Sequence, residues 1–210
     1  MPHLVLLGDS IFDNKAYVGS GPDVAAQVRD DLPKDWQVTL CAVDGATVGS
    51  VGSQLARVPA DATHLVLSVG GNDALGYSAV LGRPARSFAE VLETLGELSR
   101  SFERDYRGML DLVLARRLPT AICTIYNPNY PDPARQRLSV SALAHMNDPI
   151  VRIAIEKALP LIDLRLVCTE PADYANPIEP SSRGGEKIAA AISALVLSGD
   201  VRREQPFVLR

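Results

Sequence analysis

What most constrains this chain is a recurrence of short apolar runs, each too short for a helix and each followed by helical periodicity. The runs are His3 to Leu7, Val38 to Val43, Leu65 to Val69, Ala121 to Ile125 and Leu161 to Leu164. A mainly apolar stretch of this length suits a strand covered on both faces. Between the runs, Val24, Val28 and Leu32, then Val48, Val51, Leu55 and Val58, repeat every three to four residues, as one face of a helix does. Parallel neighbours need crossover helices. The alternation therefore predicts an α/β/α sandwich around a doubly wound sheet of five parallel strands.

The third crossover is the plainest helix. Phe88, Val91, Leu92, Leu95, Leu98, Phe102, Tyr106, Met109, Leu110 and Val113 hold one apolar face, and Ser87 with Glu90 reads as a capping box. Leu138 to Met146 reads as a helix, and Asp148-Pro149 reads as the start of another. A last helix carries Ile188, Ile192, Leu195 and Val196 behind Ser181-Ser182. No repeat or linker divides the 210 residues, so residues 1–210 are expected to form one domain.

Composition narrows the partners. The 21 Lys and Arg are scattered and the net charge is -4, which leaves no basic stripe for a nucleic acid. No apolar run approaches the roughly 18 residues of a spanning helix. Met1-Pro2-His3 leads directly into the first strand without a basic, then apolar, leader, so the expected compartment is the cytoplasm. Cys41, Cys123 and Cys168 lie in apolar surroundings without zinc-ligand spacing and read as buried thiols. No leftover apolar stripe demands a partner, which fits a monomer or a small homo-oligomer.

In open α/β sheets ligands collect at the carboxyl ends of the strands. Four polar blocks fall there: Gly8-Asp9-Ser10-Ile11, Asp44-Gly45-Ala46-Thr47, Gly70-Gly71-Asn72-Asp73, and Asn176-Pro177-Ile178-Glu179-Pro180-Ser181. Singly, each also reads as a cap or a turn. In this order and spacing they resemble the SGNH (GDSL) hydrolases along nearly the whole chain. The resemblance implies Ser10 as nucleophile and an oxyanion hole of the Ser10 and Gly45 N–H groups with the Asn72 amide. It also implies a small-molecule ester as substrate and no cofactor. These residue types suit acyl transfer. Glycine lets backbone approach a substrate closely, and an amide donates to a developing oxyanion without changing charge.

The last block departs from that family. Its usual Asp-x-x-His is replaced by Asn176 and Glu179. Of the three histidines, His3 opens the first strand, His64 precedes the third and His145 lies in a helix, so none stands at the base position. An aspartate would repel a glutamate base, whereas an asparagine N–H can hold its carboxylate, so the pair is self-consistent. Glutamate is about two pKa units less basic than histidine, about 3 kcal/mol of driving force. Burial would raise its pKa and hydrogen bonds to the charged form would lower it.

Three readings remain open on the sequence. One is an acyl ester or thioester hydrolase using Ser10, with Glu179 as a non-standard base and later acid. Another is a pseudohydrolase that binds a carbonyl ligand. The third is a metal-assisted hydrolase using Asp9, Asp44, Asp73 and Glu179, although their spacing fixes no ligand set. Asp9, Asp73, Tyr77 and Tyr126 are expected to contact substrate. Residues 76–86, with Tyr77 and Leu81, are expected to line the acyl site, and residues 126–131 form a second candidate wall.

Overall fold

The computed structural model describes residues 1–199 and the strand Val208–Leu209. In chain order the elements are β1 (His3–Gly8), α1 (Val24–Asp31), β2 (Gln37–Leu40), α2 (Val51–Leu55), β3 (His64–Ser68), α3 (Gly71–Tyr77) and α4 (Phe88–Leu114). They continue as β4 (Thr120–Cys123), α5 (Pro133–Glu156), β5 (Leu161–Ile162), α6 (Leu164–Val167), β6 (Tyr174–Asn176), β7 (Glu179–Pro180), α7 (Ser182–Ser198) and β8 (Val208–Leu209). The main sheet is parallel, in the order β2-β1-β3-β4-β5-β8. Its first five strands are those expected. The sixth, β8, is an addition at the β5 edge that was not among the expected strands.

Alternation along β1 sends Leu4 and Leu6 to one face and Val5 and Leu7 to the other. Leu4 and Leu6 pack with Val24, Val28, Ile188 and Ile192 of α1 and α7. Val5 and Leu7 pack with Phe102, Leu110, Ile150 and Ile153 of α4 and α5. Every β1 side chain is thus buried, which is why the strand reads as a continuous apolar run. The order reverses at β1, with β2 on one side and β3 on the other, and this switch point opens a crevice above their carboxyl ends.

Several strands end earlier than their apolar runs because side chains or turns take over the backbone. The N–H groups of Cys41 and Ala42 both donate to the Leu6 carbonyl, so β2 stops at Leu40. Asp163 caps α6, so β5 stops at Ile162. Ser87 accepts from the Glu90 N–H at the head of α4, while the Glu90 carboxylate accepts from the Arg86 N–H, one residue outside the expected box. All three cysteines are free and buried. No helix among the described residues is long and apolar enough to cross a membrane.

Asp148-Pro149 does not restart a helix: α5 runs unbroken through Pro149, capped at its own start by Asp132. Proline removes the N–H that would bond to the carbonyl four residues earlier, here His145. The hydroxyl of Ser99 on α4 donates to that carbonyl at 2.8 Å, so the orphaned acceptor is satisfied between helices. Ser99→Ala is expected to cost about 1 kcal/mol and lower Tm by about 2–4 °C in thermal unfolding followed by circular dichroism. An unchanged Tm would show that water serves the carbonyl equally well.

Candidate active site

The turn after β1 is set by Gly8, whose φ of +126° is open to glycine. Gln54 from α2 grips this turn, accepting from the Gly8 N–H at 2.8 Å and donating to its carbonyl at 2.7 Å. The next N–H, of Asp9, donates to the Ser68 carbonyl of β3. Ser10 therefore leaves the sheet at the switch point. Its backbone N–H makes no hydrogen bond among the described residues. The Ser10 hydroxyl is buried and donates to Glu179 Oε1 at 3.1 Å.

Glu179 arrives on β7, in a small antiparallel hairpin with β6. Asn176 shapes that hairpin, but not as expected: its Oδ1 accepts from the backbone N–H groups of Ile178 and Glu179, at 2.9 and 3.0 Å. The amide holds the backbone, and no bond from it reaches the Glu179 carboxylate. The hairpin is tied down elsewhere. Tyr126 donates from its hydroxyl to the Ile178 carbonyl, and buried Asn14 donates to the Pro180 carbonyl while accepting from the Val24 N–H. Ser181 donates its N–H to the carbonyl of buried Asp173 and caps α7 with its side chain.

Glu179 is only 6% exposed, and its Oε2 has no hydrogen-bond partner among the described residues. Burial pushes its pKa up to about 7, with Asp44 adding repulsion and the Ser10 bond pulling down. Asp9 is also pushed up to about 7, first by burial and then by the charges of Glu179 and Asp73, against bonds from the N–H groups of Ile11 and Gly71. Two carboxyls with raised pKa values thus line the cavity that Ser10 borders, and only that of Glu179 accepts from the Ser10 hydroxyl.

The second and third blocks meet beside this pair. Gly45 sits at φ +77° with an N–H uncommitted among the described residues. Asn72 donates from Nδ2 to the Ala46 carbonyl at 3.0 Å, which leaves its other amide hydrogen free. Asp73, expected as a substrate contact, instead accepts from the Val48 N–H at 3.0 Å and does not line the cavity next to Ser10. It stitches the start of α3 to the turn before α2.

That cavity has a volume of about 130 Å³. Ser10, Glu179, Asp9 and Asn72 border one side. Tyr77 and Leu81, from the segment expected to line an acyl site, border this cavity from α3 and the 3-10 turn that follows. Leu95 and Leu98 of α4 and Leu143 and Met146 of α5 complete an apolar wall. Tyr126 and Tyr130 contribute from the loop after β4, though the Tyr126 hydroxyl is already committed to the hairpin. His145, which reads in the sequence as an outlying helix residue, is half-buried and lines the same cavity. His3 and His64 lie at the opposite ends of their strands.

The metal-assisted reading loses its ligand set. Asp9 serves the Ile11 N–H, Asp44 the Tyr17 hydroxyl, Asp73 the Val48 N–H and Glu179 the Ser10 hydroxyl. Among the described residues no three His, Cys, Asp or Glu side chains converge on a cation site. The buried amides of Gln54 and Asn14 are the positioning residues that sequence reasoning missed. Their only signal is a polar residue in an otherwise apolar helical or turn position.

No curated protein matches the chain in sequence. Solved structures share its fold at low identity. The lipase Lip_vut3 from a goat rumen metagenome is 19% identical, with a TM-score of 0.69 over 92% of this chain and 97% of that one. A lipolytic G-D-S-L family protein from Veillonella parvula is 16% identical, with a TM-score of 0.68 over 94% and 98%. An extracellular lipase from Streptomyces rimosus is 16% identical, with a TM-score of 0.61 over 94% and 99%. A family model aligns with residues 6–186, from β1 through the head of α7 and so across all four polar blocks, and the chain belongs to the GDSL-like lipase/acylhydrolase family.

Proposed function

We propose that the protein is a serine hydrolase of carboxylic esters in which Glu179 replaces the usual histidine base. Family membership supports ester hydrolysis in general. The observation that carries the specific reading is the buried hydrogen bond from Ser10 to a glutamate whose pKa is raised to about 7. A base works best when its pKa lies near the working pH, and burial of Glu179 recovers the basicity that a glutamate lacks.

In the proposed cycle, Ser10 Oγ attacks the acyl carbon and its proton passes to Glu179 Oε1. The carbonyl oxygen becomes an oxyanion, received by the uncommitted N–H groups of Ser10 and Gly45 and the free amide hydrogen of Asn72. Glu179 then returns the proton to the departing alkoxide as the C–O bond breaks, leaving an acyl-serine. Water repeats the sequence, with Glu179 again taking a proton, and releases the acid. Asn176 acts as a positioning residue by fixing the backbone of Glu179. The acyl group lies along the Leu98, Leu143 and Met146 wall. The volume is close to the ~150 Å³ apolar cavity known to admit benzene, so short or ring-sized neutral acyl groups fit best.

The test is hydrolysis of short p-nitrophenyl esters from pH 4 to 10, together with labelling by a fluorophosphonate. Activity and labelling are expected to rise through about pH 7 as Glu179 ionises. Ser10→Ala is expected to abolish labelling and reduce kcat by at least about 10³-fold. Turnover that survives Ser10→Ala would defeat the reading, and a folded protein that neither turns over nor labels would be a binder of carbonyl ligands.

A further inference from the structure

The wall of the cavity is hydrocarbon where Leu98, Ile125, Leu143 and Met146 meet it. His145 interrupts this surface. Its imidazole is half-buried, lines the cavity and makes no hydrogen bond to any described residue. The backbone beneath is fixed on both sides. Ser99 holds the His145 carbonyl, and Asn147 clamps both the N–H and the carbonyl of Ile125 at 2.8 and 2.7 Å. The backbone that carries the ring is therefore fixed at the cavity wall.

Its place in the fold separates it from the reacting atoms. Asn147 marks the carboxyl edge of β4, and at 1.5 Å per residue His145 stands about 3 Å above it. In the strand order, β4 is two positions from β1, or about 10 Å. No hydrogen bond joins His145 to Ser10 or Glu179. The cavity beside Ser10 thus presents, together with its apolar side chains, an imidazole with free hydrogen-bonding capacity carried two strands away from β1.

Resting on the hydrolase reading above, we infer that His145 is a specificity-determining residue that recognises a hydrogen-bonding oxygen at the far end of an otherwise apolar acyl group. A ring-sized acyl group bearing a hydroxyl, such as a hydroxybenzoyl group, has this chemistry. Its ring occupies the hydrocarbon wall and its hydroxyl pairs with the imidazole. An unsubstituted acyl group of the same shape leaves the imidazole facing carbon. Because His145 is only half-buried, water offsets part of that loss, and the preference is about tenfold rather than the much larger ratios of sealed polar pockets.

The test compares methyl benzoate, methyl 3-hydroxybenzoate, methyl 4-hydroxybenzoate and methyl acetate. Each is measured as kcat/KM on the intact protein and as Kd by calorimetry on the Ser10→Ala protein. One hydroxybenzoate is expected to exceed benzoate by about tenfold in both measurements. His145→Leu should abolish that preference without altering acetate hydrolysis, and His145→Gln should keep part of it. The inference is overturned if the intact protein shows no preference, if His145→Leu retains it, or if His145→Leu slows acetate as much as the hydroxybenzoates, which would place His145 in the catalytic machinery. Absence of Ser10-dependent turnover defeats the hydrolase reading alone, because the binding comparison still decides the role of His145.

Discussion

Glu179→Gln is expected to lower kcat/KM for a short p-nitrophenyl ester by about 10²- to 10⁴-fold and, at the same time, to stabilise the protein at alkaline pH. Glutamine can still accept from the Ser10 hydroxyl, so the geometry survives while the proposed base is lost. The stability effect follows from the raised pKa. Between the ordinary carboxyl range and about 7, the native protein keeps a proton that the unfolded chain has released. Stability of the natural protein therefore falls as pH rises through this window and levels off above it. The glutamine variant lacks that decline. The difference in stability between the two proteins should grow by about 2 kcal/mol from pH 5 to pH 8, or on the order of 5 °C in Tm. Asp9 titrates in the same direction in both proteins, so it leaves the sign unchanged. Thermal unfolding at the two pH values, with ester kinetics alongside, provides the check. A Tm offset independent of pH would show that Glu179 carries no shifted proton, and undiminished kinetics would remove it from catalysis.

Gly8→Ala is expected to be the most damaging small substitution in the chain, at more than about 4 kcal/mol. Two penalties coincide. The backbone at φ +126° is one that a side chain rarely tolerates, and an added Cβ would lie 1.8 Å from the Ser68 carbonyl oxygen. That oxygen belongs to β3 and already accepts the Asp9 N–H, so it cannot retreat without opening the β1–β3 pairing under Ser10. Gly45→Ala provides the contrast. It also has positive φ, at +77°, but meets no atom within 4 Å, so only the conformational cost of about 1–2 kcal/mol remains. Urea denaturation of both variants should separate them widely. A Gly8→Ala protein as stable as Gly45→Ala would mean that the turn into Ser10 is not held as tightly as Gln54 and Ser68 indicate.

Both experiments address features with very different visibility in the sequence. The first five strands and their order of appearance follow from runs such as Leu4 to Leu7, because a strand buried on both faces has no polar position to interrupt it. The caps of α4 and α7 are visible because a serine oxygen serves N–H groups only a few residues away. The site blocks are visible for the same local reason: a parallel sheet delivers the ends of all its strands to one edge, wherever they lie along the chain.

Pairings across long separations were not visible. Ser10 and Glu179 are 169 residues apart, and their bond exists because Asn14, Tyr126 and Asn176 hold a hairpin against the first turn. Asn176 shows how a correct residue can carry a mistaken bond. The sequence names an amide beside a carboxylate, but only the turn geometry decides whether the amide holds the side chain or the backbone. The same holds for Pro149, where a helix break reads plausibly until Ser99 from another helix supplies the missing donor.

By itself, then, the sequence determined the layered α/β architecture, the four polar blocks at one sheet edge and a last block that contains no histidine, since each rests on local periodicity or on residue identity. Tertiary structure alone decided that Glu179 is buried on the Ser10 hydroxyl, that Asp73 is a structural stitch and that His145 lines the cavity. Burial, pKa and hydrogen-bond direction depend on which distant surfaces exclude water, and no spacing along the chain encodes that directly.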